Sequence, residues 1–202
     1  MGDNRRSVSW EFAQFIEKLC YGELPQDVIQ EAKRRILDCI ASAYAGRRVN
    51  KTFNKAVCEI FNRMGGTPSS TVLFSDQKLP AANAAFLNAA YVHGADLDDG
   101  HKTAMGHPGV TVIPPVFALA EARKSRVEDM IVAIAAGYEA YVRVSNAVMP
   151  SLFSRGFHGT GVCGAISAGC ACAKLLGYDA AGIHRALSFS APLLIMQGQR
   201  HS

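Results

Sequence analysis

At 202 residues the chain suits one domain, or one and a half, and is long enough to bury a hydrophobic core. Hydrophobic residues make up 49% and charged residues 19%, a balance that excludes a disordered chain. The formal net charge of +4 comes from Lys and Arg scattered from Arg5 to Arg200, which excludes a nucleic-acid footprint and leaves only a mild bias toward anionic small molecules.

The polar start Met1-Gly-Asp-Asn-Arg-Arg-Ser7 carries no apolar signal core, so a cytoplasmic protein is expected. Ser7 or Ser9 caps a first helix, Trp10 to Cys20, with Trp10, Phe12, Ala13, Phe15, Ile16 and Leu19 at mixed spacings of three and four. Pro25 opens a longer helix whose apolar face reads Val28, Ile29, Ala32, Ile36, Leu37, Ile40 and Tyr44, with Gly46 as its stop. A third helix runs from about Lys51 to Met64 and ends at Gly65-Gly66. Ser70-Thr-Val-Leu-Phe74 is the one strand-like patch and predicts a small hairpin near 70–79. Pro80 starts an Ala-rich helix to Tyr91 or His93. After a polar break, helices are expected near Val112 to Ala122 and from Val127 to Val148, where Glu128 and Asp129 suit a first turn.

Met149 to Gly156 reads as a loop, and a helix follows from Gly159 to Leu176. Its ridge of Gly161, Ala165, Gly169 and Ala173 permits close helix contact. A last helix begins near Asp179 or Ile183 and reaches Phe189 or beyond, interrupted by Pro192. The fold class is therefore all-α, about eight helices with at most one small β-hairpin. The longest apolar runs, such as Met130 to Gly137, fall well short of the roughly 20 residues of a membrane span. The six cysteines, Cys20, Cys39, Cys58, Cys163, Cys170 and Cys172, form no Cys-x-x-Cys pair and are expected to be reduced, mostly core thiols.

The break from Ala95 to Gly109 places Asp96, Asp98, Asp99, His101 and His107 within one short segment between apolar stretches. Carboxylates and imidazoles brought together at the mouth of an apolar core have tunable protonation states, which acid/base chemistry requires. In extended geometry Asp96 and Asp98 would share a face, leaving Asp99 to cap or orient. His107 before Pro108 and His158 before Gly159-Thr-Gly161 both stand where helices begin. A helix N-terminus binds carboxylate or phosphate and disfavours imidazolium, so such a histidine suits a base or donor beside an anion; alternatively each simply caps its helix. Gly159, Thr160 and Gly161 would let a substrate approach the backbone, and His93 can point toward the same pocket. His184 and His201 read as surface positions.

Asp96-x-Asp-Asp-Gly100 is not a calcium loop, because its Gly falls early and His107 holds the twelfth position. Gly159-Thr-Gly161-Val-Cys-Gly164 matches a dinucleotide fingerprint, but no strand precedes it. No Gly-x-Ser-x-Gly elbow marks a serine hydrolase. A His/Asp metal hydrolase stays open on residue types alone, without a His-Glu-x-x-His helix.

Four motifs in order, His93-Gly-Ala-Asp-Leu-Asp-Asp-Gly-His101, then Gly106-His-Pro-Gly109, then Val112-Ile-Pro-Pro115 with Ala118-Leu-Ala-Glu121, then Gly156-Phe-His-Gly-Thr-Gly161 with Lys174-Leu-Leu-Gly177, resemble the MmgE/PrpD family over about Trp10 to Phe189. That family includes 2-methylcitrate dehydratase, cis-aconitate decarboxylase and iminodisuccinate epimerase. The resemblance implies an all-α first domain of a two-domain, usually homodimeric enzyme that uses no cofactor or metal. It implies His158, His107 and Asp96 as catalytic residues, Gly159, Thr160, Gly161, His101 and His93 as substrate-binding, and Asp98 and Asp99 as supporting. Asp96 to His107 is one residue longer than the decarboxylase pattern, and Gly100 stands where that pattern has a hydroxyl residue.

Family members continue into a Lys-x-x-His-x-Gly segment and a second α+β domain, so residues 1–202 are expected to be an apparently truncated N-terminal helical domain. The expected function is a lyase or epimerase, 2-methylcitrate dehydratase-like, that removes a proton alpha to a carboxylate of a small di- or tricarboxylate. The alternative is a catalytically incomplete fragment serving in folding or dimerisation. No nucleic-acid or membrane partner is expected.

Overall fold

A computed structural model describes residues 7–192; His201 and the final segment after Pro192 lie outside the described residues. The first element, α1 (Val8–Lys18), is capped by Ser7, whose hydroxyl accepts from the Trp10 N–H at 3.2 Å. Ala13 and Ile16 are its buried residues, one turn apart. They pack with residues of α6 (Val127–Val148), α8 (Gly159–Leu175) and α9 (Ala180–Ser190), among them Ala136, Ala140, Ile166 and Ile183. Asp179 caps α9 by accepting from the Gly182 N–H at 2.8 Å.

A 3-10 turn at Tyr21–Glu23 leads into α2 (Gln26–Val49), which runs through Gly46 instead of stopping there. The reason is close approach: a Cβ on Gly46 would lie 2.0 Å from the carbonyl oxygen of Tyr91 in α4 (Ala81–His93). The same approach rotates the buried stripe of α2 onto Ile29, Ala32, Cys39, Ala43 and Gly46. Leu37 and Tyr44, expected on that face, are 68% and 47% exposed.

Asn50 joins α2 to α3 (Lys51–Met64), an amphipathic helix whose Val57, Cys58 and Phe61 lean on the hairpin and α4. The hairpin pairs β1 (Ser70–Thr71) with β2 (Lys78–Leu79) antiparallel, Ser70 opposite Leu79. So short a hairpin does not stand alone in water. Its supports come from elsewhere: Glu121 accepts from the Thr71 N–H (2.6 Å), the Thr71 hydroxyl (2.7 Å) and the Lys78 ammonium (2.8 Å). Asn88 accepts from the Leu73 N–H and donates to the Thr71 carbonyl.

Pro108 at the first position starts α5 (Pro108–Arg123) a turn earlier than expected, and the helix carries Pro114 and Pro115 inside it. Each interior proline removes one helix hydrogen bond. The surroundings outweigh that loss, since Val112, Ile113 and Val116 are at most 1% exposed and sit in the largest core cluster. One helical turn, α7 (Ser151–Ser154), occupies the expected Met149–Gly156 loop.

The architecture is thus all-α, with nine α-helices and one two-stranded hairpin among the described residues. The helix α8 packs against α5, α6 and α9, and α4 against α2 and α5. Gly159 to Gly164 lie inside α8, and the element that leads into it is the helical turn α7, not a strand, so they form no dinucleotide turn. No described helix is long and apolar enough to cross a membrane. All six cysteines are free, Cys39, Cys163 and Cys170 buried and Cys20 exposed.

Candidate active site

Three histidines arrive from three helix ends. His93 is the last residue of α4, His107 the N-cap of α5 and His158 the N-cap of α8. Neither His107 nor His158 makes a side-chain cap bond, so simple capping does not account for either ring. The rings of His93 and His107 are 5.0 Å apart, centroid to centroid, and those of His93 and His158 are 6.3 Å apart.

Asp98 forms the floor, its side chain 1% exposed. His93 Nδ1 donates to it, 2.9 Å from Oδ1 and 3.2 Å from Oδ2. This bond raises the His93 pKa above the ordinary imidazole value, against the lowering effect of burial, and the charges of Asp98 and Asp96 add to the rise. With Nδ1 committed to Asp98, Nε2 is the nitrogen left for a substrate.

His107 Nδ1 lies 3.3 Å from the Asp98 carbonyl oxygen. A carbonyl only accepts, so Nδ1 carries the proton, and in the neutral ring Nε2 keeps its lone pair. That nitrogen is 3.7 Å from Asp96 Oδ1, while Asp98 Oδ2 is 3.6 Å from Nδ1. Asp96 is exposed and takes a left-handed φ of 52°, a conformation Asp tolerates better than most side chains. The break is therefore turned, not extended. Asp96 and Asp98 still flank the same imidazole, from different sides.

Asp99 is buried and faces away from this group. It accepts from the Gly109 N–H (2.8 Å) and the Tyr138 hydroxyl (2.7 Å), with Arg35 at 3.7 Å. Burial raises its pKa, and the Tyr138, Gly109 and Arg35 contacts counter only part of the rise. Gly109 has to be glycine, because a Cβ there would lie 2.5 Å from the Asp99 carboxylate. The first turn of α5 is consequently occupied: Pro108 has no N–H and Gly109 donates to Asp99. By contrast α8, which starts beside the histidines at Gly159, Thr160 and Gly161, has no side-chain cap, as an anion site there requires.

Thr160 is buried, and its hydroxyl accepts from the His107 N–H at 3.1 Å, pinning α8 to the start of α5. Gly159 is buried beneath Met149 and Met105. His101 belongs to another wall. Its Nδ1 accepts from the Ala104 N–H at 3.2 Å, and it lines an apolar cavity of about 660 Å³ together with Asp99, Arg35 and Tyr138.

Arg35, Tyr138 and Tyr141 are supports that sequence reasoning missed. Tyr141 is fully buried below Gly106, and burial pushes its pKa up to about 12. Nothing marks these residues in the apolar stripe of α6, and Arg35 sits among the surface charges of α2. The four side chains His93, Asp96, Asp98 and His107 bring one donor atom each within 4.8 Å of one another. Two imidazoles and two carboxylates are a donor set that divalent metals accept; the 2.9 Å bond from His93 to Asp98 already satisfies two of the four.

Residues 10–193 match the MmgE/PrpD N-terminal domain, and the chain belongs to that family. Among curated relatives, the cis-aconitate decarboxylase-like protein oryM of Aspergillus oryzae is 31% identical over 85% of this chain and 37% of its own length. Cis-aconitate decarboxylase of Aspergillus terreus is 30% identical over 92% of this chain and 39% of its own. The human cis-aconitate decarboxylase is 29% identical over the same shares. The chain thus spans less than two fifths of the length of these relatives.

Proposed function

We propose that this chain carries one wall of the active site of a lyase that moves a proton at a carbon next to a carboxylate of a small di- or tricarboxylate. The observation that supports it is the convergence of His93, His107 and His158, from three separate helix ends, over the buried Asp98. His107, through Nε2, or His158 removes the proton, and Asp96 orients His107. The substrate carboxylate lies at the uncapped N-terminus of α8, whose N–H groups take the charge that develops on its oxygens. His93, held by Asp98, contacts the substrate from Nε2 as a donor. The names of the relatives make cis-aconitate the first substrate to test, with 2-methylcitrate and iminodisuccinate after it.

The test is the consumption of these acids by the purified chain, followed by NMR, and by a longer relative carrying the same motifs. His158→Ala and His107→Ala are each expected to lower turnover by about 10²–10⁴, the usual contribution of a general acid or base. Near-normal turnover of His158→Ala overturns its role. Turnover by the longer relative but not by this chain assigns this chain the part of an incomplete module. Stoichiometric metal in active protein, with activity lost to a chelator and restored by the metal, overturns the metal-free reading.

A further inference from the structure

The corner between α2 and α3 holds a second cavity, of about 500 Å³, lined mainly by charged side chains of α2 and α3, with Tyr91 of α4 also in its lining. Four cations line it, Arg47, Arg48, Lys51 and Lys55, against one carboxylate, Glu59. Among the described residues no carboxylate comes within 4.0 Å of Arg47, Arg48 or Lys51, and the one local pair, Lys55 to Glu59, is 4.0 Å long with its lysine 80% exposed. An exposed pair of that length gains little. The positive charge is therefore left largely uncompensated.

The two arginines are held in place. Arg47 donates to the Phe74 carbonyl at 3.0 Å, and its guanidinium lies 5.0 Å from the Phe74 ring centre and 5.2 Å from that of Tyr44. Arg48 donates to the Tyr44 hydroxyl at 3.0 Å and lies 4.7 Å from the same ring. Stacking of this kind fixes a guanidinium without neutralising it. Arg47 Nε is buried and has no hydrogen-bond partner, so the guanidinium's remaining donors, not Nε, are the ones open to a ligand. The first turn of α3 starts at Lys51 behind Asn50, which makes no side-chain cap bond, so the positive end of that helix adds to the same field.

We propose that this corner binds a compact, multiply charged oxyanion, such as linked phosphates or a cluster of carboxylates on a small molecule. The oxyanion is seated on Arg47, Arg48 and Lys51 and closed by Lys55. One negative charge would leave most of the field unmet, whereas a polyanion satisfies the guanidinium forks and the lysine ammoniums together. Leu73 and Tyr91 in the cavity lining give an organic body apolar surface to rest on. This site is independent of the carboxylate chemistry proposed above.

The probes are inorganic pyrophosphate and citrate, titrated calorimetrically into the purified chain at low and high salt. Saturable binding of at least one is expected, weakening with salt. Arg48→Ala combined with Lys51→Ala, both exposed positions, is expected to weaken pyrophosphate binding at least about tenfold, while His158→Ala leaves pyrophosphate binding unchanged. Binding lost in His158→Ala and kept in the double variant places the anion at the histidines and overturns the proposal, as does the absence of saturable binding by both probes. A second readout needs no variant: the bound probe slows acetylation of Lys51 and Lys55 relative to Lys18 and Lys33. Equal protection of all four lysines, or none, overturns the assignment. Protection by pyrophosphate alone or by citrate alone tells which oxyanion the site takes.

Discussion

The chemistry of the candidate site turns on how Asp98 and Asp99, neighbours in sequence, are divided between two jobs. Asp98 goes to the imidazoles and Asp99 to the start of α5 and to Tyr138. Because the folded state raises the His93 pKa, the stabilisation from the protonated His93–Asp98 pair is complete below the unfolded imidazole value and is lost as pH rises through the folded one. In ring NMR, His93 is expected to titrate above an ordinary histidine and to fall back in Asp98→Asn. A His93 that titrates at or below the ordinary value refutes the pairing. Asp99→Ala is expected to destabilise the domain by about 3 kcal/mol, since it strands the Gly109 N–H, the Tyr138 hydroxyl and Arg35. Tyr138→Phe removes one bond and is expected to cost about 1 kcal/mol; urea titrations measure both. That Asp99 caps or orients was legible from the alternation that sets it apart from Asp96 and Asp98. Its partners Arg35 and Tyr138 were not, because they come from helices about forty to sixty residues away in sequence, and pattern reading has no access to that pairing.

At the scale of elements, the contact between α2 and α4 shows packing overriding propensity. Gly46→Ala would gain up to about 1 kcal/mol of helix propensity. Its Cβ would meet the Tyr91 carbonyl at 2.0 Å, and such overpacking costs about 1–3 kcal/mol. A net loss of stability is therefore expected in a thermal melt, and a stabilised variant would show that the helices separate freely. Gly46 read as a helix stop because a glycine that ends a helix and one that admits a neighbour look alike in sequence. The hairpin offers an electrostatic test. Burial raises the Glu121 pKa, but the bonds from Lys78 and Thr71 outweigh it and hold the group below the usual glutamate value. The stability it adds is present above the unfolded glutamate value and lost as pH falls through the folded one. Glu121→Gln is expected to be less stable than the parent at neutral pH and to converge with it in acid. A gap that stays constant with pH would refute the ion pair.

At the scale of the molecule, the site exists only because α8 is pinned against α5. Thr160 carries that pin through the His107 N–H. Thr160→Val preserves shape and removes the acceptor, so a loss of about 1 kcal/mol in stability is expected, together with lower turnover in an active full-length relative. Unchanged stability with only a raised KM would instead make Thr160 a substrate ligand. The wall so formed is open: Asp96 and His158 are exposed above the buried Asp98.

The sequence by itself determined the helical class, the order of the helices, the hairpin and the two histidines at helix starts, because hydrophobic period, proline and glycine act locally along the chain. It also carried the four ordered motifs that mark the MmgE/PrpD family. Only the tertiary structure decided that His93 hydrogen-bonds Asp98, that Asp99 pairs with Tyr138 and Arg35, that His101 lines a separate cavity, and that Arg47 and Arg48 share an unneutralised corner with Lys51. Each of these depends on the distance between residues that are remote in sequence or on the turn of a backbone that is not periodic, and a repeating pattern encodes neither.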